Sequence, residues 1–170
     1  MLPQLYFFVS IAFAFIAWGV VAKQYIWPKL RLLPRTEALR PLLILHSFRF
    51  EGLAFLIPGV VSPDLPSTFA HSAATGDIIA ATLALVSLAL LSRGAAVVIA
   101  WIFNLWGSAD LLNAFYHANA ARLVPGQLGV TYFIPTLVVP LLLITHGLAF
   151  RILLQREPAA KTRTWHPAKS

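Results

Sequence analysis

At 170 residues, 59% hydrophobic and only 11% charged, with a mean hydropathy of +0.77, the chain is too apolar for a water-soluble domain. Its length holds at most five or six crossings of ~20 residues each and leaves no room for a separate soluble catalytic domain. It has no cysteine, which excludes disulfides, thiolate metal sites, iron–sulfur clusters and cysteine nucleophiles; its net charge of +7 comes from Lys and Arg between and after apolar runs, where anionic lipid headgroups account for them better than nucleic acid.

The first apolar run, 5–21, has no basic residue before it and Lys23 after it, the reverse of a secretory signal, so it is expected to be a retained span. Lys23, Lys29, Arg31, Arg35 and Arg40 follow in a basic loop, where Pro28 and Pro34 are expected to interrupt helix. A second span over 41–61 carries His46, Arg49 and Glu51 within it. The stretch 62–75, rich in Pro, Ser, Thr and Ala, reads as a loop, and Gly76 and Asp77 then open a third span over 76–91. A fourth is expected over 95–117 and a fifth over 130–153, the latter kinked by Pro135 and Pro140. The segment 157–170 is polar and basic and is expected to be disordered.

The expected architecture is therefore all-α: an integral membrane five-helix bundle in the inner membrane. Eleven Lys and Arg fall at one end of the spans and only Arg122 at the other, with Arg49 between. Because positive charge is retained on the cytoplasmic side, this pattern puts the N-terminus outside and the C-terminus in the cytoplasm. Trp18, Tyr25 and Trp27 at the inner boundary and Tyr116 and Tyr132 at the outer one suit the interfacial preference of aromatic rings.

An ionisable group inside hydrocarbon costs about 2.5–3.5 kcal/mol or more and needs a partner or a wet cavity. At 1.5 Å per residue, His46 and Arg49 lie roughly 8 and 12 Å above the inner boundary, Glu51 lies near the midplane, and His146 lies close to the depth of His46. In an α-helix Glu51 points away from the face shared by His46 and Arg49. Trp106, Asp110, Asn113 and His117 follow spacings of four, three and four, which makes a polar stripe, with Asn104 on a separate edge. The polar residues thus form an inner tier (His46, Arg49, Asn104, His146) and an outer one (Asp77, Asp110, Asn113, His117), with Asp77 placed to cap the third helix.

Several readings compete. Arg49 paired with Asp77 or Asp110, with Asn104 as interhelical glue, would only hold the bundle together, as in a structural or accessory subunit with a membrane partner protein. The same residues could line a site for a small molecule or for protons. His46 and His146, at matching depth on different helices, could supply axial ligands to haem. An enzyme has less support, because no H-E-x-x-H, G-x-S-x-G or similar spacing occurs. Gly52, Gly59, Gly107 and Gly147 read as close-packing positions, and His71 and His166 as solvated.

Four motifs add to this: R-x-x-G at Arg49 to Gly52, L-P-x-x-F-A-x-x-A-x-x-G-D from Leu65 to Asp77, N-x-x-G-x-x-D-L from Asn104 to Leu111, and P-x-x-x-x-P-x-x-x-x-x-H from Pro135 to His146. Through them the chain resembles a widespread group of small, uncharacterised bacterial membrane proteins. The resemblance implies that Arg49, Asp77, Asn104, Asp110 and His146 form one buried constellation. Glu51, His117 and His46 fall outside it, and Glu51, Asn113 and His117 remain a second tier of candidates.

Overall fold

The computed structural model describes residues 2–93 and 95–155. The expected disordered tail and His166 lie outside the described residues. Regular structure among the described residues is helical, in six α-helices linked by 3₁₀ and π segments. Helix α1 (Leu2–Val21) runs through a π turn, Ala22–Ile26, into α2 (Trp27–Leu30). Pro28 does not end this run as expected. It falls where the π turn meets α2, and the helical run continues through it from Leu2 to Leu30. Helix α3 (Arg35–Ser47) continues as a 3₁₀ segment, Phe48–Leu56, and is followed by α4 (Ser67–Ala89) and α5 (Ala96–Ala120). A 3₁₀ helix, Pro125–Tyr132, then leads to a π turn, Ile134–Val138, and α6 (Val139–Leu154).

Four runs are long and apolar enough to cross a membrane: Leu2–Leu30, Ser67–Ala89, Ala96–Ala120 and Ile134–Leu154. Five were expected, and the difference lies in the second. There the helix begins at Arg35, so that it takes in Arg35, Glu37 and Arg40, and its winding changes at Phe48. The change has a packing reason. Arg49, Gly52 and Phe55 are the buried residues of the 3₁₀ segment and are spaced by three, so winding at three residues per turn stacks them on one face, whereas an α-helix would fan them apart. The third run starts at Ser67, well before the expected Gly76, because the Ala-rich stretch 69–75 continues as helix once Pro66 has set its entry. Asp77 is consequently mid-helix and not a cap.

Apolar clusters bracket the middle of the bundle. One joins Leu39, Leu42 and Leu43 of α3 with Ala84, Ala100, Phe103 and Ile152; another joins Phe55 of the 3₁₀ segment with Leu65, Phe69, Ala73 and Leu128. Arg49 falls between them in the chain. At the latter end the loop after Leu56 docks on the 3₁₀ helix: Val130 N–H donates to the Val60 carbonyl (3.1 Å) and Ser62 N–H to that of Gln127 (3.0 Å). Gly129 makes this approach possible, with φ of 55° and the Val60 carbonyl where a Cβ would stand.

Helix α1 is peripheral. Ala14 is its one buried residue among those described, while Phe8, Phe13 and Ile16 are each about two-thirds exposed. It is tied to the bundle by Trp18, whose Nε1 donates to the Leu137 carbonyl (3.0 Å) in the π turn between Pro135 and Pro140.

Candidate functional site

The site is built on Arg49, 1% exposed despite its charge. Its Nε donates to Asp77 Oδ1 (2.7 Å), its Nη2 lies 2.6 Å from Asp110 Oδ2 and 2.7 Å from Asp77 Oδ1, and its Nη1 donates to the Gly107 carbonyl (3.2 Å). A planar guanidinium offers five donors in a fixed fork, so one side chain from the 3₁₀ segment binds α4 and α5 together.

Three glycines make the space. A Cβ on Gly52 would collide with the Asp77 carboxylate, one on Gly76 with the Asp110 carboxylate, and one on Gly107 would lie 2.6 Å from His146 Cε1 and 3.0 Å from Arg49 Nη1. Gly52 and Gly107 therefore house polar side chains, beyond allowing helices to approach. Gly76 does the same, a role its sequence context did not reveal. Gly59 and Gly147 have open space around the Cβ position, so the close-packing role expected for them is absent.

Next to Gly107, Asn104 and His146 bind each other twice. Asn104 Oδ1 and His146 Nδ1 are 2.7 Å apart, and Asn104 Nδ2 donates to the His146 carbonyl (3.3 Å). With the Asn104 amide so oriented, its Oδ1 accepts the proton of His146 Nδ1, which leaves His146 Nε2 buried and without a hydrogen bond. The His46 ring lies 4.1 Å from the His146 ring, Phe103 closes the group at 5.1 and 5.3 Å, and His46 Nε2 is 3.0 Å from Thr145 Oγ1. Thr145 was not singled out by the sequence. A hydroxyl among aliphatic neighbours on α6 carries no signal until its partner is known.

These rings do not fit bis-histidine haem. Two imidazoles on one iron each place a nitrogen about 2 Å from the metal, which puts the ring centres roughly 6 Å apart with the metal between. Here the rings are in direct contact, their centres 4.1 Å apart and their planes tilted by 41°, and His46 Nε2 is turned to Thr145. Among the described residues no three His, Asp or Glu side chains converge as a metal site.

Arg49, Asp77 and Asp110 are thus brought into one ion-pair cluster, and Asn104 and His146 bind each other beside it; no hydrogen bond among the described residues joins the two groups, and Asp110 is only partly buried. The second tier joins neither. Asn113 and His117 are exposed, because α5 buries the face of Ala96, Ala100, Phe103, Asn104, Gly107 and Leu111, with Asp110 at its edge. Asn104 lies on that face, apart from the exposed Trp106, Asn113 and His117. Glu51 is half-buried and makes no hydrogen bond or salt bridge among the described residues.

Above the ion pairs is a cavity of about 580 Å³. Asp77 and Asp110 belong to its wall, which is otherwise dominated by Phe and aliphatic side chains from α1, the 3₁₀ segment Phe48–Leu56, α4, α5 and the 3₁₀ and π turns that lead into α6, while Gln4, Asn119 and Arg122 are its other polar residues. The sequence could place Asp77 and Asp110 in one tier but gave no sign of this chamber, whose phenylalanines come from four separate elements.

No curated protein and no solved structure matches the chain. A family model does, over residues 6–154, and the chain belongs to that family, which is described as a domain of unknown function, DUF8737.

Proposed function

We propose that this is a five-crossing integral protein of the inner membrane, N-terminus outside and C-terminus in the cytoplasm, whose Arg49 network forms the floor of a binding site for a small molecule. The fifth crossing is supplied by 35–56. Thirteen α-helical residues at 1.5 Å and nine 3₁₀ residues at 2.0 Å reach about 37 Å, enough for a hydrocarbon core of ~30 Å, even though this run is too polar and irregular to stand out as a span. The exposed apolar surface of α1 is the lipid face.

The observation that carries the functional reading is the position of two carboxylates in the wall of an apolar chamber. A concave, mostly apolar pocket with a few convergent polar groups is the usual form of a small-molecule site, and intramembrane charges mark ligand or ion pathways. The test is mass spectrometry of small molecules retained by the protein in lipid nanodiscs, compared with Ala114→Phe, which puts a ring into the cavity from α5 and leaves Arg49 untouched. A molecule held by the parent and lost from the variant is expected; identical spectra would overturn the reading.

A second reading has one observation in its favour: the Arg49 guanidinium is engaged by both carboxylates and a backbone carbonyl, as a helix clamp would be. In that case the polar core only fixes helix packing, and the protein is an accessory subunit. Purification with a stoichiometric membrane partner and no retained small molecule would favour it.

A further inference from the structure

The cavity is apolar over most of its wall, and its floor is not electrically neutral. Arg49 contributes +1 and Asp77 and Asp110 contribute −1 each, so with all three ionised the network sums to −1. Both carboxylates draw on the same Arg49 nitrogen, Nη2, and both line the chamber. Asp77 Oδ2 and Asp110 Oδ1 make no hydrogen bond among the described residues and pack against Gly52 and Gly76, while the opposite oxygens face Arg49, so a ligand meets these carboxylates only where their edges enter the chamber wall. An anionic excess beside low-dielectric walls calls for a counter-cation.

Resting on the small-molecule reading above, we infer that the ligand is an organic cation: an ammonium or similar head seated against Asp77 and Asp110, with an apolar or aromatic body filling the chamber. A proton would also neutralise the floor, but it has no use for 580 Å³ of apolar space. The wall suits such a body, since Phe7, Phe55, Phe69 and Phe115 can meet it by area and can meet its charge through their ring faces. Arg122, the one basic residue among the lining side chains, does not contradict this. It is exposed and lies in the turn beyond the end of α5, whose last residue, Ala120, is ten residues or about 15 Å along the helix axis from Asp110.

Three probes sharing one body and differing in head charge test the inference: 4-phenylbutylamine, 4-phenylbutanol and 4-phenylbutyrate, each titrated calorimetrically into protein-loaded nanodiscs and into empty ones. The amine is expected to bind at least about tenfold more tightly than the alcohol, with the carboxylate weakest. Asp110→Asn brings the floor to neutrality and is expected to remove most of the amine's advantage over the alcohol. Should that variant not fold, Asp77→Asn serves the same purpose, and the ranking on the parent protein needs no variant at all. Alcohol binding as tight as amine, or carboxylate binding tightest, would overturn the cation inference and leave the small-molecule site standing. No protein-dependent binding of any probe, together with no retained molecule to lose in Ala114→Phe, would overturn both.

Discussion

Asp110 places its carboxylate where a side chain on Gly76 would have to begin. The two residues lie on adjacent helices, and the acid can reach Arg49 Nη2 at 2.6 Å only because α4 presents a bare Cα there. Gly52 stands in the same relation to Asp77, but more tightly: the Asp77 Cβ would itself be 2.7 Å from an added methyl. A carboxylate can swing away and a Cβ cannot, because it is fixed to its helix.

Gly76→Ala is therefore expected to push Asp110 off Arg49 and destabilise the protein by about 2–4 kcal/mol, between the range for overpacking and that for breaking a buried ion pair. Gly52→Ala should cost more, since helix α4 must move. Gly147→Ala, at a position with open space, should change stability by no more than about 0.5–1 kcal/mol. Unfolding in mixed micelles checks the order. Equal stabilities for all three variants would mean that the glycines do not hold the ion pairs in place.

Part of this arrangement was visible in the residue order. Arg49, Asp77 and Asp110 stand out because hydrocarbon excludes lone charges, and the depth estimate that matched His46 with His146 agrees with their ring contact. Facing was not legible. On α5 the stripe of Asp110, Asn113 and His117 and the stripe of Asn104, Gly107 and Leu111 have the same helical period, and the period cannot say which one turns inward. Nor does residue size decide: Ala96, Ala100 and Gly107 sit on the buried face, but Ala109, Ala114 and Ala118 are equally small and lie off it. The 3₁₀ winding that stacks Arg49, Gly52 and Phe55 was equally hidden, because each pair three apart also shares a face of an α-helix and only burial of all three together tells the two windings apart.

The two buried histidines are expected to carry their protons on different nitrogens. His146 Nδ1–H donates to Asn104 Oδ1, so Nε2 of that ring is bare. The single hydroxyl hydrogen of Thr145 is directed to the Leu141 and Leu142 carbonyls (2.9 and 3.0 Å), so its oxygen accepts from His46 Nε2, and His46 Nδ1 is the bare atom. Solid-state ¹⁵N spectra of histidine-labelled protein should show one ring protonated at Nδ1 and the other at Nε2. Asn104→Ala should release the first assignment, leave the second, and destabilise the protein by about 1–3 kcal/mol through the unpartnered N–H. Finding both rings in the same tautomer would contradict the hydrogen bonds that orient them.

The crossing number rests on 35–56, and the chain's lack of cysteine makes it testable, because any thiol introduced is the sole reactive one. With five crossings, the turn after α4 and the end of α6 lie on one side, and the start of α4 lies on the other. Single substitutions at Ser92 and Ser67, both exposed, sample those two ends. In intact cells a membrane-impermeant maleimide is expected to label Ser67→Cys and spare Ser92→Cys, and permeabilisation should expose the latter. Two further positions isolate the disputed segment. Thr36→Cys, at the start of α3, should behave like Ser92→Cys, and Asp64→Cys, after the 3₁₀ segment, like Ser67→Cys. If Thr36→Cys and Asp64→Cys were instead labelled from the same side, 35–56 would enter and leave one face of the bilayer. Arg49 would then sit in a re-entrant segment, and the charge-based orientation would lose the alternation on which it depends.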